Sequence, residues 1–270
     1  MNQSEKAERF RTLHQETFVI ANAWDAGSAR ILTALGFPAL ATSSGACANV
    51  LGRRDGAITR EEALAHAKAI VDATDLPVSA DLEKGFGDTP GIVAETIRLA
   101  AETGLVGGSI EDATGDPARP LFDPSLARDR IAAAVQAARA LPFPFMVTAR
   151  TENYLRGNPD LDDTIRRLRS FEAAGADVLM APGLPDLDAV RSVCAAVSRP
   201  VNFMAGIKGK SFTVAALSQA GVRRVSLATS LYRAAMTGLE NAAREVAESG
   251  TFGYLDEALS TPALNAFMRG

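Results

Sequence analysis

The chain repeats one two-part unit, in which a short apolar run is followed by an amphipathic segment with helical periodicity. The apolar runs are nearly continuous, as in strands that are buried on both faces of a parallel sheet. Eight such runs follow one another without a linker, at 18–24, 38–44, 77–83, 105–112, 145–151, 177–183, 200–206 and 222–228. This pattern predicts a single α/β domain over residues 1–270, a closed (β/α)8 barrel of the TIM type. An open doubly wound sheet is the alternative topology.

The segments outside the eight units predict additional helices. One helix should precede the first strand, and the barrel should then extend over about residues 18–240. The first fifteen residues are charged and lack the apolar core of a signal peptide. The sequence also lacks a run of about 18 apolar residues that could span a membrane. With only Cys47 and Cys194, we expect no disulfide stabilisation and a cytoplasmic location.

The composition excludes several classes of function. A net charge of −4 gives no electrostatic footprint for nucleic acid, so neither a nucleic acid nor a membrane is expected as partner. The two histidines, His14 and His66, lie in predicted helices and do not follow strands. Both zinc hydrolases and Ser-His-Asp enzymes need histidine at the active site, so the sequence favours neither class. The chemistry must come from carboxylates, arginine, hydroxyls and backbone amides.

Polar side chains occur at the carboxyl ends of several predicted strands, where barrel enzymes place their active sites. The candidates, in strand order, are Ser43, Ser44 and Gly45, then Asp81 and Glu83, then Glu111 and Asp112, then Arg150, and finally Asn202 or Met204. Because these ends meet at one rim of a closed barrel, we expect the side chains to converge. Three acids and an arginine at one rim indicate a functional site.

The residue types indicate which ligands this rim would bind. Asp81, Glu83 and Glu111 supply hard oxygen ligands, which suit Mg²⁺, with Mn²⁺ as a possible substitute. The planar guanidinium of Arg150 suits a substrate carboxylate or phosphonate. The turn at 43–45 can offer hydroxyls and backbone N–H groups to a second carboxylate. This set predicts a small anionic 2-oxo or 2-hydroxy acid as substrate and an enolate stabilised beside the metal.

Six motifs resemble, in the same order, those of the isocitrate lyase/phosphoenolpyruvate mutase superfamily. They are SSG (43–45), LGRRDG (51–56), DLEKGFG (81–87), SIED (109–112), TART (148–151) and SLYRAAM (230–236). The resemblance implies that Asp81 binds Mg²⁺ directly and that Glu83 and Glu111 act through water, although the family motif usually has Asp where Glu83 stands. It also implies that Ser43, Ser44 and Gly45 hold the substrate carboxylate together with Asp81 and Arg150. Asp55, on the mobile loop after the second strand, joins Glu111 and Arg150 as a candidate catalytic residue.

Two departures from the family pattern narrow the function. Isocitrate and methylisocitrate lyases carry a K-[KR]-C-G-H loop after the fourth strand, where this chain reads DATGDPARPLFDPS (112–125). The family glutamate of the sixth strand is also missing, and Gly183 stands there. Isocitrate lyase itself is therefore disfavoured, and a smaller or different substrate is indicated.

Three functions remain open. The first is a Mg²⁺-dependent carbon–carbon lyase, for example in oxaloacetate decarboxylation or methylisocitrate-type retro-aldol cleavage. The second is a mutase or hydrolase acting on the carbon–phosphorus bond of phosphonopyruvate, with Lys208 and Lys210 in the loop 206–211 as candidate phosphate contacts. The third is a catalytically weak barrel that binds 2-oxoacids.

The C-terminal segment, roughly 254–268, carries apolar residues that the barrel wall would not cover. In the resembling family the last helix exchanges between subunits. The resemblance therefore implies a swapped C-terminal helix and a homodimer or homotetramer.

Overall fold

The computed structural model describes residues 1–268 and closes eight parallel strands into one barrel. The last two residues of the predicted domain, 269 and 270, lie outside the described part. The first strand pairs with both the second and the eighth, which closes the barrel and excludes the open sheet. The (β/α)8 prediction is confirmed. The strands are β1 Phe18–Asn22, β2 Leu40–Ala41, β3 Val78–Asp81, β4 Gly107–Glu111, β5 Met146–Arg150, β6 Val178–Met180, β7 Val201–Met204 and β8 Arg224–Ser226.

The strands are shorter than the apolar runs that predicted them. The clearest case is β2, which has two residues, whereas the sequence predicted 38–44. Ser43 instead accepts a hydrogen bond from the backbone N–H of Ala46 and caps helix α3, which spans Ser44–Val50. The predicted turn at 43–45 is therefore wrong in its local structure, because Ser44 and Gly45 are the first residues of a helix.

Helices connect the strands and form the outer layer. The helices are α1 Gln3–Leu13, α2 Ala26–Ala34, α3 Ser44–Val50, α4 Arg60–Asp72, α5 Pro90–Glu102, α6 Pro124–Arg139, α7 Leu161–Ala173, α8 Leu187–Ala196, α9 Val214–Gln219, α10 Ser230–Ser249 and α11 Thr261–Phe267. Short 3₁₀ turns occur at Asn153–Leu155 and Gly253–Asp256.

Helix α1 packs against the amino-terminal end of the barrel, as the sequence predicted for one preceding helix. It begins with a capping box formed by Asn2 and Glu5. Its Phe10 is fully buried, with its ring 6.4 Å from that of Phe18 on β1. Burying such a ring stabilises a fold by about 2–3 kcal/mol. The contact places the end of α1, including His14, beneath the barrel interior.

The C-terminal helices lie outside the core. None of the twenty residues of α10 is buried. Leu231, near the start of the helix, packs partly against the core. From there an apolar stripe continues along one face at helical spacing, through Ala235, Leu239, Ala242 and Val246. Helix α11 lies near α2 of the same chain, where Arg30 donates a hydrogen bond to the backbone oxygen of Met268. The stripe on α10 is therefore an apolar surface for which residues 1–268 of one chain provide little cover.

Within residues 1–268, every helix is too short or too polar to cross a bilayer.

Candidate functional site

Asp81 is the last residue of β3 and lies where three strand ends meet. Its Oδ2 accepts a hydrogen bond from the backbone N–H of Ser44 at 3.3 Å. Its Oδ1 accepts from the Ser109 hydroxyl at 3.4 Å and from the backbone N–H of Glu83 at 3.2 Å. The Asp81 N–H itself donates to Thr42 Oγ1 at 3.0 Å. Asp81 is thus fixed between β2, β3 and β4, with 18% of its side chain exposed to the rim.

Glu83 is turned toward this rim by an unusual backbone conformation. Its φ is 49°, in the left-handed region that side chains other than glycine rarely adopt. Its Oε1 is buried and has no hydrogen-bond partner in the described part of the chain. Burial, followed by the charges of Asp81 and Asp55, raises the pKa of Glu83 to about 7. A carboxylate oxygen in this environment requires a cation or a proton.

Glu111 ends β4, beside Asp81 and opposite two arginines. Its Oε2 lies 3.6 Å from Arg150 Nε, and its Oε1 lies 3.7 Å from Arg156 Nη2. Burial raises the pKa of Glu111 above its usual range, the Arg150 charge opposes this shift, and Glu152 and Asp81 add to it. Asp81 and Glu111 therefore converge.

The candidate Asp112 does not join them, because its Oδ2 accepts from Thr151 at 2.8 Å and pairs with Arg167 at 3.1 Å.

Arg150 ends β5 and lies among the acids. Its Nε donates to Glu152 Oε1 at 2.6 Å, and its Nη1 is 3.9 Å from Asp81 Oδ2. Burial alone would lower the pKa of Arg150, but Glu111, Glu152 and Asp81 outweigh it and raise the pKa overall. The arginine is therefore always charged and is held at the rim by three carboxylates.

The sequence reasoning missed Glu152 and Arg156. The Glu152 side chain is 1% exposed, and its Oε2 lies 3.2 Å from Arg156 Nη2. Glu152 lies two residues after Arg150, just beyond the end of a predicted strand. This position was the one sequence feature that could have indicated Glu152 as a site residue. Arg156 had no such position in the sequence pattern. It lies at the rim because the chain forms a 3₁₀ turn at Asn153–Leu155 just before it.

Ser43, Ser44 and Gly45 lie together beside Asp81, as predicted. Position 45 needs a glycine because two side chains lie close to its backbone. A Cβ there would lie 2.9 Å from Thr229 Cγ2 and 3.3 Å from Asp55 Oδ2. A side chain at position 45 would push these two groups away from the start of α3.

The same contact places the Asp55 carboxylate over the start of α3, although Asp55 is exposed. Its loop has glycines with φ of 69° at Gly52 and 77° at Gly56, backbone conformations that favour glycine. Arg53, which could have neutralised Asp55, pairs instead with Glu62 at 2.7 Å. Asp55 therefore adds its negative charge to the rim.

The buried Arg130 of α6 connects the loop after β3 with the end of β4. Its guanidinium donates to the backbone oxygens of Lys84, Gly87 and Glu111, the last two at 3.2 Å. It also lies over the Phe122 ring, 4.0 Å from the ring centroid. Arg130 therefore aligns the backbone around Glu83 with that of Glu111.

The residues at the rim fit a hard divalent cation held partly through water. In residues 1–268 no three acidic, His or Cys side chains converge tightly enough to form a complete metal cage. Mg²⁺ usually keeps several waters and binds through one or two carboxylates, so a complete cage is not required. The unpaired Glu83 oxygen and the raised Glu83 and Glu111 pKa values are the features that a cation at this rim would relieve.

A narrow cavity of about 50 Å³, open to solvent at its mouth, leads from this rim into the barrel. Asp81 and Arg150 line its mouth, and Ser79, Asn202 and Arg224 line its deeper part. The predicted strand-7 candidates Asn202 and Met204 are both part of the lining.

Among residues 1–268, no other side chain takes the place of the family's loop cysteine or of its strand-6 glutamate. The backbone oxygen of Gly183 accepts a hydrogen bond from Lys210 Nζ at 3.0 Å. Cys47 is buried in an apolar cluster, and burial followed by the Glu83 charge raises the pKa of its thiol to about 11. The loop 112–125 folds back through a bridge between Ala113 and Leu121. Thus neither a family-type loop cysteine nor a strand-6 acid is present.

The sequence matches the family described as phosphoenolpyruvate phosphomutase over residues 10–247. A protein of Burkholderia cenocepacia, provisionally described as a lyase/mutase, is 51% identical and superposes with a TM-score of 0.97 over 99% of this chain and 98% of its own. The 2-methylisocitrate lyase of Halalkalibacterium halodurans is 29% identical over 93% of this chain and 85% of its own. The structure of oxaloacetate acetylhydrolase with its product oxalate is 25% identical, with a TM-score of 0.89 over 99% of this chain and 94% of its own.

Proposed function

Because this chain belongs to the phosphoenolpyruvate mutase family, within the isocitrate lyase/phosphoenolpyruvate mutase superfamily, we propose that it is a Mg²⁺-dependent carbon–carbon lyase acting on a small 2-oxo or 2-hydroxy carboxylate. The observation that carries the proposal is the convergence of Asp81, Glu83, Glu111 and Arg150 at the carboxyl ends of three neighbouring strands. Relatives that include a 2-methylisocitrate lyase and an oxaloacetate acetylhydrolase support carbon–carbon cleavage.

In this proposal the acids hold the metal and the rim holds the substrate. Asp81 would bind Mg²⁺ directly, and Glu83 and Glu111 would bind it through water. When bound, the metal acts as a Lewis acid that stabilises negative charge developing on a 2-oxo group. Arg150 donates to one substrate carboxylate through its planar fork, and Ser43, Ser44 and Gly45 donate hydroxyl and N–H groups beside it.

The missing loop cysteine favours a reaction in which water supplies the final proton. Decarboxylation of oxaloacetate meets this requirement, because the pyruvate enolate takes up a proton from solvent. Gly183 at the strand-6 position also removes an acidic group that the family places near bulkier substrates. A small dicarboxylate is therefore the preferred substrate class.

The proposal is tested by turnover of oxaloacetate, methylisocitrate and phosphonopyruvate with purified protein and Mg²⁺, with chelator-treated protein as control. We expect metal-dependent cleavage of a carbon–carbon bond. Turnover of phosphonopyruvate alone would assign the protein to the second candidate, which the phosphomutase description of the family supports. Mg²⁺-dependent binding of all three compounds without turnover would contradict lyase function.

We further propose that the segment 46–58, which comprises most of α3 and the loop after it, closes over the bound substrate and excludes water, since Asp55 already lies over the start of α3. Asp55→Ala should slow turnover about a hundredfold while changing metal affinity less, because Asp55 contacts the rim without being a proposed ligand. Hydrogen exchange of residues 46–58 should become slower when a 2-oxoacid and Mg²⁺ bind. Asp116→Ala, at an exposed acid of the loop after β4, is the matched control. Unchanged exchange at saturating ligand would leave the loop without a closing role.

We also propose that α10 mediates assembly into a homodimer or homotetramer, because its apolar stripe lacks cover within one chain. Light scattering at micromolar concentration should give a mass at least twice that of the chain. Leu239→Asp, on the stripe, should shift the protein toward monomer, since the charge would be buried in the interface. Leu35→Asp is the matched control, because Leu35 and Leu239 are each 62% exposed. A monomeric wild-type protein would contradict this proposal.

A further inference from the structure

Arg224 is the first residue of β8, and its side chain lies inside the barrel on the lining of the deep cavity. Only 5% of the residue is exposed. Its Nε donates to Asn202 Oδ1 at 2.8 Å, and its Nη2 donates to Thr148 Oγ1 at 2.8 Å. Its Nη1 lies 3.3 Å from Nε2 of His14, at the end of α1. The guanidinium is thus held from three sides by β5, β7 and the helix below.

All three of these contacts are with neutral groups. Burial, followed by the Arg224 charge, lowers the pKa of His14 to about 3, so its ring is neutral. The His14 Nδ1–H donates to the backbone oxygen of Phe10 at 2.8 Å, which leaves Nε2 to accept from Arg224. Within residues 1–268 no carboxylate contacts Arg224, and burial alone lowers its pKa, to about 9. Arg224 is therefore charged at neutral pH and lacks a counter-charge.

Two other arginines of this barrel are paired with carboxylates, whereas the buried Arg130 donates to three main-chain oxygens. Arg150 lies among three carboxylates, and Arg167 pairs with Asp112 at 3.1 Å and with Asp163 at 3.0 Å. A buried charge without an ionic partner is costly. An anion that enters the cavity would provide the missing counter-charge.

The deep cavity also offers free donors. Each terminal nitrogen of Arg224 carries two hydrogens and has one described contact, so one hydrogen on each remains. The Ser226 hydroxyl accepts from Asn202 Nδ2 at 2.9 Å and keeps its own hydrogen for donation. The Ser79 hydroxyl has no hydrogen-bond partner in residues 1–268, and both serines line the cavity. These donors suit carboxylate oxygens.

The two arginines of the cavity lie at different depths. Arg224 contacts Thr148, which lies two residues before Arg150 on the same inward face of β5. Two residues along a parallel strand span about 7 Å. An extended four-carbon dicarboxylate is the kind of molecule that could approach both arginines at once.

We propose that Arg224, with Ser79 and Ser226, forms a second anion subsite at the floor of the cavity and binds one carboxylate of a small dicarboxylate substrate. Arg150 and the Ser43–Gly45 segment hold the other carboxylate at the mouth. This inference rests on the proposed function, which places the substrate in this cavity. It makes Arg224 the residue that selects dicarboxylates over monocarboxylates.

The test compares L-malate with L-lactate, which lacks the second carboxylate, by calorimetry in the presence of Mg²⁺. Wild-type protein should bind malate roughly ten- to a hundredfold more tightly than lactate, as expected for hydrogen bonds to a charged group. Arg224→Met should remove this preference while lactate affinity stays within about twofold, because only the deep contact is lost. Arg224→Lys should retain part of the preference, since it keeps the charge.

An unchanged malate-to-lactate ratio in a folded Arg224→Met protein would overturn the proposal. Circular dichroism identifies a variant that does not fold. If the variant does not fold, wild-type crystals soaked in sodium bromide test the subsite instead. An anomalous bromide peak beside the Arg224 guanidinium would support the anion subsite, and its absence would contradict it. Malate binding with an unaltered ratio would refute the subsite and leave the lyase proposal intact. Absence of Mg²⁺-dependent binding and turnover, with bromide at Arg224, would refute the lyase proposal and support the anion subsite.

Discussion

Asp81→Ala is expected to abolish Mg²⁺ binding and to reduce turnover by at least about a hundredfold. Even residues that only hydrogen-bond to a metal ligand typically change metal affinity or activity by about ten- to a hundredfold when they are replaced. The substitution removes the proposed direct ligand. It also removes the acceptor for the backbone N–H groups of Ser44 and Glu83, which position the substrate segment and the metal loop. Glu83 and Glu111 would remain as acids without a central ligand. Calorimetric titration with Mg²⁺, together with kcat at saturating metal, measures both effects.

Two further variants separate the direct ligand from its surroundings. Glu83→Ala should weaken metal affinity less than Asp81→Ala, because Glu83 is proposed to act through water. Asp88→Ala is the control within the same loop, since the Asp88 side chain is 65% exposed and pairs with Lys84. Equal Mg²⁺ affinity in wild type and Asp81→Ala would show that the metal binds elsewhere.

Arg150→Lys is expected to lower kcat/KM by roughly ten- to a hundredfold while the fold is retained. Lysine keeps the charge that balances Asp81, Glu111 and Glu152, so the thermal midpoint should change little. It cannot form two parallel hydrogen bonds to a carboxylate, which is the contact that the proposal assigns to Arg150. Initial rates over a range of substrate concentration, with circular dichroism on the same samples, provide the measurement.

Arg128→Lys is the matched control, because Arg128 is an exposed arginine that also pairs with a carboxylate, that of Asp129. It should leave kcat/KM unchanged. Wild-type kinetics in Arg150→Lys would assign Arg150 a structural role, pairing with Glu152 and Glu111 in place of substrate.

Much of this architecture was predictable because it depends on local pattern. Buried strands that alternate with amphipathic helices determine the barrel, and the barrel places the ends of β3, β4 and β5 side by side. The convergence of Asp81, Glu111 and Arg150 follows from that geometry. The start of α3 was less predictable, because one serine cap decides whether residues 43–45 form a turn or a helix.

Contacts between distant parts of the chain were beyond sequence reasoning. His14 and Arg224 are 210 positions apart and meet only because α1 packs beneath the barrel. The sequence placed His14 in a predicted helix but gave no sign of its burial or of its partner. Trp24 and Tyr232 are likewise far apart in the sequence, and their rings pack edge-on with centroids 5.6 Å apart.

The hydrogen bonds of Arg130 have a consequence for how this chain can change in evolution. All the described hydrogen bonds of Arg130 go to main-chain oxygens, so it holds the path of the loop after β3 whatever side chains that loop carries. The acid at position 83 could therefore change between aspartate and glutamate over evolution without a new loop conformation. In this chain the longer side chain of Glu83 extends from a backbone position that Arg130 fixes independently. Substitutions at Arg130 should consequently be tolerated far less in evolution than exchanges between the two acids.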